Sequence, residues 1–131
     1  MWKDLVIILV TYDLWFYVAH RWMHSSQYLV PFHKHHHQYD HDKKMTYWDA
    51  GRGHIVENIL TNIGFFVPIV LLSSDFITSG IAYSFITVRG LLRHDHRAPD
   101  WIGKHHLIHH SHPRYNFSSY PIDVLFGTVK K

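Results

Sequence analysis

No cysteine occurs anywhere in the chain, which excludes disulfides and every metal site built on thiolates, including the structural zinc finger. The metalloprotease helix H-E-x-x-H is also missing, so the common zinc-hydrolase arrangement is out. Lys and Arg are scattered and the formal net charge is only +3; no nucleic-acid module is expected from that pattern. No stretch reaches the roughly 20 clean apolar residues that mark an unmistakable membrane span. The apolar run Leu5-Val6-Ile7-Ile8-Leu9-Val10 has no small-residue cleavage site after it, so it does not read as a signal peptide. At 131 residues the chain has the length of one domain.

What the sequence does have is histidine, 15 residues of it. Imidazole is the commonest metal ligand and titrates near neutrality. The histidines are also patterned. His106, His109 and His110 form an H-x-x-H-H cluster, His33, His36 and His37 repeat it, and His20 and His24 stand four apart. On a helix, positions i, i+3 and i+4 share a face, so each triplet is expected to aim three imidazoles at one point. With His94 the set holds nine imidazoles, too many for one ion. Two ions, each held by four or five nitrogens, fit better, and nitrogen-only ligation suits iron or copper redox work at least as well as zinc. Asp13 falls on the stripe of Tyr17, His20 and His24. A carboxylate there is expected to accept the far N–H of a ligating histidine. His35, His41, His105 and His112 are read as solvent-exposed or as supporting the ligands; His105 falls off the face of its triplet.

The rest reads as an all-α scaffold. Residues 5–23 form one helix, apolar and then aromatic (Trp15, Phe16, Tyr17, Trp22), the composition of a membrane–water boundary. Residues 55–72 and 76–92 are two apolar segments joined by Ser73-Ser74-Asp75, read as a tight transmembrane hairpin. A hairpin returns the chain to the side it left, so both H-x-x-H-H clusters share one membrane face. That face carries Lys34, Lys43, Lys44, Arg52, Arg93, Arg97, Lys104, Arg114, Lys130 and Lys131, and the positive-inside rule makes it cytosolic. The expected architecture is a small membrane helical bundle with a transmembrane hairpin and a cytosolic histidine-rich helical cap. Trp15, Phe65, Phe66 and Phe85 are candidates for a substrate tunnel, read first as core or lipid contacts.

The order and spacing of these boxes resemble the fatty acid hydroxylase / sterol desaturase superfamily of integral membrane di-iron enzymes. The boxes are His20-Arg21-Trp22-Met23-His24, then His33 to His37, then His94 in Leu92-Arg93-His94-Asp95-His96-Arg97 beyond the hairpin, then His106 to His110. The flanks match at Asp13 to Tyr17, at Asn116-Phe117 and at Asp123-Val124-Leu125-Phe126-Gly127-Thr128. The resemblance covers about residues 10–128, within a single hydroxylase-type domain over 1–131.

The resemblance implies O2-dependent hydroxylation or desaturation of a fatty acyl chain or sterol by two iron ions, for which zinc can substitute in a purified sample. It also implies electrons from NAD(P)H through a separate cytochrome b5-type carrier, and residence in the endoplasmic reticulum membrane of a eukaryote or the cytoplasmic membrane of a bacterium. The implied metal ligands are His20, His24, His33, His36, His37, His94, His106, His109 and His110. His54 and Glu57 resemble an H-P-x-E element of sterol-processing members, with Ile55 in place of the proline, which makes His54 a possible further ligand. His96 and Asp13 are candidates for an additional ligand or its support. Only about 19 residues precede the first box, so upstream membrane segments of the family are expected to be missing. The alternatives are a carotenoid-type hydroxylase, a reduced metal-binding homologue without catalysis, and a zinc-handling membrane protein.

Overall fold

The computed structural model describes residues 1–38 and 44–131 and contains, among those residues, six α-helices, one 3-10 helix and no strand. Helix α1 (Trp2–Ser25) is followed by α2 (Val30–His37), a 3-10 turn over Tyr47–Arg52, α3 (Ile55–Leu72), α4 (Phe76–Arg93), α5 (Gly103–Ser111) and α6 (Tyr120–Leu125). His41 and Lys43 lie outside the described residues.

Each helix follows from local chemistry. Helix α1 holds neither Gly nor Pro over its 24 residues, so nothing interrupts its ladder. Helix α2 carries Pro31 in its first turn, where the missing N–H has no intrahelical partner to lose. The turn between α3 and α4 is closed at both sides. Ser73 ends α3 with φ 48°, and Asp75 caps α4 by accepting from Thr78 N at 2.9 Å and from the Thr78 hydroxyl at 2.6 Å.

Helix α1 is the centre of the bundle. Helices α3 and α4 both pack on it, and they pack far less on each other. The apolar core is Leu5 and Ile8 from α1, Phe65 from α3, and Ala82 and Ile86 from α4. The expected hairpin is therefore present as a tight turn with splayed arms, not as two helices packed side by side. The arms part because each buries its apolar stripe against α1, and a cavity opens between them at the histidine end. The chain does return to the side it left: Glu57, at the start of α3, approaches His33, and His94, just past α4, approaches His36.

Among the described residues, only α3 is long and apolar enough to cross a membrane, with a mean hydropathy of 1.9 over Ile55–Leu72 and just 22% of that window buried. The charged residues that set the face of the bundle need one amendment. Arg93 is not a surface charge; it is 5% exposed.

The closest approach in the bundle is α1 on α3. A Cβ placed on Gly64 would stand 2.6 to 2.8 Å from Cδ1, Cγ and Cβ of Trp15, and the Trp15 indole N–H donates to Leu60 O at 2.7 Å. The crowded atoms include the root of the Trp15 side chain, which cannot swing away without moving backbone. Gly64→Ala should therefore destabilise the protein by about 1–3 kcal/mol. Gly80→Ala in α4, where no atom lies within 4 Å, should instead be neutral or stabilising by up to about 1 kcal/mol. Thermal unfolding of the two variants in the same detergent checks the contrast.

Candidate metal centre

Nine histidines from four segments, α1, α2, the end of α4 and α5, converge in two adjoining groups. His20, His24, His33, His37 and His109 form one, and His36, His94, His106 and His110 form the other; within each, the candidate ligand atoms all lie within 4.8 Å of one another. The groups touch, with the His37 and His110 rings 4.7 Å apart.

The triplets do not behave as single-point clusters. His33 and His37 serve the first group while His36 crosses to the second; His106 and His110 serve the second while His109 crosses to the first. The helical repeat explains it. At about 100° per residue, i+4 lies about 40° from i, whereas i+3 lies about 60° to the other side. The i, i+4 pair shares a target and the i+3 imidazole diverges. Each H-x-x-H-H box therefore stitches the two groups together.

The hydrogen bonds on the outer ring nitrogens fix the tautomers. His20 Nδ1 donates to Phe117 O at 2.5 Å, His109 Nδ1 to Tyr115 O at 2.7 Å, and His94 Nδ1 to Gly90 O at 3.0 Å. A carbonyl only accepts, so these Nδ1 atoms carry the proton and each Nε2 is a bare lone pair. His33 Nδ1 lies 3.2 Å from the Glu57 carboxylate, at ion-pair distance though off a straight hydrogen-bond line; its Nε2 is turned inward as well. The inward atoms crowd one another. His20 and His33 Nε2 are 3.1 Å apart, His24 and His109 2.9 Å, His24 and His33 3.0 Å, and His36 and His94 3.0 Å. A bare Nε2 cannot hydrogen-bond another bare Nε2. Two of them can share a cation, and nitrogens about 2.1 Å from one ion at right angles stand about 3 Å apart. The donor set fits a transition metal in each group.

Burial removes the other way of relieving the crowding. Desolvation, helped by neighbouring imidazoles, holds His36, His106, His109 and His110 well below the ordinary imidazole value. Desolvation first, then His33, takes His37 to about 4; desolvation takes His94 to about 4. The imidazoles are neutral, the state in which they coordinate metal.

The remaining candidates fall outside both groups. His54 caps α3, its Nδ1 accepting from Val56 N at 3.2 Å, and packs on Phe32. His96 Nδ1 donates to Met45 O at 2.8 Å. Asp13 does not support a histidine: both Arg89 Nη atoms donate to its carboxylate, and the Ser119 hydroxyl donates at 2.9 Å. The carboxylate nearest to that role is Glu57, 3.2 Å from His33 Nδ1. His35 and His112 are exposed. His105 is buried outside the two groups and donates from Nε2 to Asp123 at 2.9 Å.

Sequence reasoning missed the loop Tyr115-Asn116-Phe117, whose carbonyls hold His109 and His20. Asn116, fully buried at φ 55°, anchors it. Its amide donates to His105 O and Lys130 O and accepts from Lys130 N. Asp123 anchors it again, accepting from Phe117 N, Ser118 N and Thr128 Oγ1. The Asn-Phe and Asp123 flanks were the available signal.

An all-helical bundle with two buried histidine groups that could each hold a metal ion defines the class. The family model for fatty acid hydroxylase matches residues 5–128, and the chain belongs to that family, which is membrane-associated. No solved structure matches the chain.

Two outcomes follow from this geometry. Asn116→Ala removes three side-chain hydrogen bonds, one buried and two part-buried, and an αL-tolerant side chain. It should cost about 2–4 kcal/mol and weaken metal retention at the His20/His109 group, whereas exposed His35→Ala should change neither; metal per chain and thermal unfolding measure both. Chelator-treated protein should lose stability as pH falls from about 6.5 towards 4. Over that window the unfolded chain takes up protons and the buried imidazoles do not, a slope of about 1.4 kcal/mol per pH unit per group. Between pH 7 and 8 these groups are neutral in both states, and a chemical denaturation series should be flat there.

Proposed function

We propose that this protein is an integral membrane oxidoreductase that uses O2 to hydroxylate or desaturate a lipid, with two iron ions in its histidine groups. One observation carries the reading: a cavity of about 290 Å³ between the hairpin arms is lined by His20, His36, His94 and His106, histidines of both groups. When bound, the irons would supply O2 binding and reduction and the oxidation of an unactivated C–H bond. In a hydroxylation one oxygen atom ends in the lipid hydroxyl and the other in water, with two electrons from a separate donor of the cytochrome b5 type, itself reduced by NAD(P)H, and two protons from solvent.

The chain's own residues hold and shield. The carbonyls of Phe117, Tyr115 and Gly90 direct His20, His109 and His94, and Glu57 strengthens His33 as a donor. Tyr12 and Phe16, with Tyr83, line the cavity on the α1 and α4 sides. Of the earlier tunnel candidates, Trp15 is wedged under α3, Phe65 is core, Phe66 faces outward and Phe85 lines a different cavity.

The outer face supports lipid access. Helix α3 exposes Ile59, Ile63, Phe66, Val67, Val70 and Leu71, a contiguous apolar stripe of the kind that meets a bilayer or a partner. We place the histidine end on the cytosolic side, in the endoplasmic reticulum of a eukaryote or the cytoplasmic membrane of a bacterium.

Anaerobically purified protein should contain two irons per chain. In cells expressing it, a hydroxylated or newly unsaturated lipid should appear that falls about 100-fold or more with His109→Ala. Fewer than two metals per chain, unaffected by His109→Ala, would overturn the reading; tight zinc with no redox response and no new lipid would favour a zinc-handling protein.

A further inference from the structure

Arg93 closes α4, one residue before His94, and it is buried. Its guanidinium lies over the Phe16 ring at 5.0 Å, and Phe16 in turn packs 5.2 Å from the His20 ring. Laid end to end, those two contacts keep the guanidinium within about 10 Å of a histidine of the first group. Among the described residues Arg93 has no ion-pair partner, and its buried Nη2 has no hydrogen-bond partner.

Its neighbour one turn back shows what a satisfied guanidinium looks like in this bundle. Arg89 engages Asp13 through both Nη atoms. The nearby carboxylates, Asp13 and Asp123, act on the Arg93 charge at a distance, but their oxygens are already taken. Asp13 serves Arg89 and Ser119; Asp123 serves Phe117 N, Ser118 N, Thr128 and His105. A buried guanidinium presents a planar fork of donors, and leaving them without an oxygen is costly.

Arg93 also stands where a ligand could supply that oxygen. It lines the cavity that reaches His20, His36, His94 and His106. It lines a second cavity of about 290 Å³ as well, walled mainly by apolar groups such as Phe85, Trp101 and Ile102. The guanidinium sits in the wall they share, between an apolar compartment and the histidines.

We propose that Arg93 binds the carboxylate of the lipid, so that the ligand class of this cavity is a free acid and not an ester, an alcohol or a sterol. The planar fork matches a carboxylate bidentately. The tight cavity favours that small head over a phosphate carried on glycerol. The inference rests on the lipid-oxidising reading only for the word substrate, since binding is testable without turnover.

The test uses full-length, metal-loaded protein in detergent and a displaceable fluorescent fatty acid. Palmitate should displace it at a concentration about tenfold or more below methyl palmitate or hexadecanol. Arg93→Gln should raise the palmitate value about tenfold and leave the ester unchanged, and Arg93→Lys should fall between. Metal per chain and thermal unfolding establish that the variants are folded. If Arg93→Gln does not fold, the wild-type comparison decides alone. Equal displacement by acid and ester, or palmitate binding indifferent to Arg93→Gln, overturns the proposal, as does lysophosphatidate displacing the probe better than palmitate. The two readings fail separately. Arg93-dependent palmitate binding without O2 consumption would remove the oxidase and leave this site. O2-dependent oxidation of a sterol or ester, unaffected by Arg93→Gln, would do the reverse.

Discussion

Imidazole nitrogens crowded against one another in a buried core are the constraint that the rest of this protein serves. Three of the nine imidazoles have their outer nitrogen held by a carbonyl, a fourth stands at ion-pair distance from a carboxylate, and the inner nitrogens meet at about hydrogen-bond distance. Protonation would relieve the crowding in water, but burial opposes it. A shared cation in each group relieves it without importing a proton. Until the cation arrives, the fold itself must hold the rings in place, and that explains how much of the chain is spent on the outer nitrogens.

The devices that hold them are drawn from every part of the chain. Tyr115 and Phe117 flank an asparagine in the left-handed region, so two carbonyls two residues apart in one short loop reach histidines on α5 and on α1. That loop is tied down by Asp123 and by the strand-like tail at Lys130. Ser118 and Ser119 also reach Asp13, which clasps Arg89 of α4. The pairing of Asp13 with Arg89 therefore fastens α1, α4 and the tail together next to the histidines, without touching one. Glu57 does the same from α3 through His33. Four helices are registered to the centre by polar contacts, while their apolar contacts are made towards the other end, at Leu5, Ile8, Phe65, Ala82 and Ile86.

That division accounts for what could be read from the residues alone. The nine histidines were legible because spacing on a helix is local, and a run such as His33-Lys34-His35-His36-His37 fixes which imidazoles share a side. How the triplets divide was not legible, since whether an i+3 imidazole crosses depends on where the second group lies. Asp13 was misread for the same reason: its stripe with His20 is real, but Arg89 is 76 residues away in sequence and outcompetes any imidazole. The hairpin was legible as two apolar segments and a turn. Its splay was not, because it depends on α1 offering a separate groove to each arm, with Trp15 against Gly64 setting how closely α3 can approach.

The two arms also show why average hydropathy describes them unevenly. Helix α3 is apolar around most of its circumference and stands out as a span. Helix α4 carries Arg89 and Arg93 and does not, yet Phe76, Ile77, Ile81, Phe85 and Val88 are all exposed on it. Both arginines turn inward, one into Asp13 and the other over Phe16. A helix of this kind can present an apolar face outward while delivering guanidinium groups to the interior, one turn apart, beside a histidine of the candidate metal centre at its end. The cost of burying charge in such a helix is met differently at the two positions, by the Asp13 carboxylate at Arg89 and, among the described residues, by the Phe16 ring without an ion pair at Arg93. The difference between two arginines on one helix face, and not the arginine content itself, is what sets Arg93 apart as a place for a ligand.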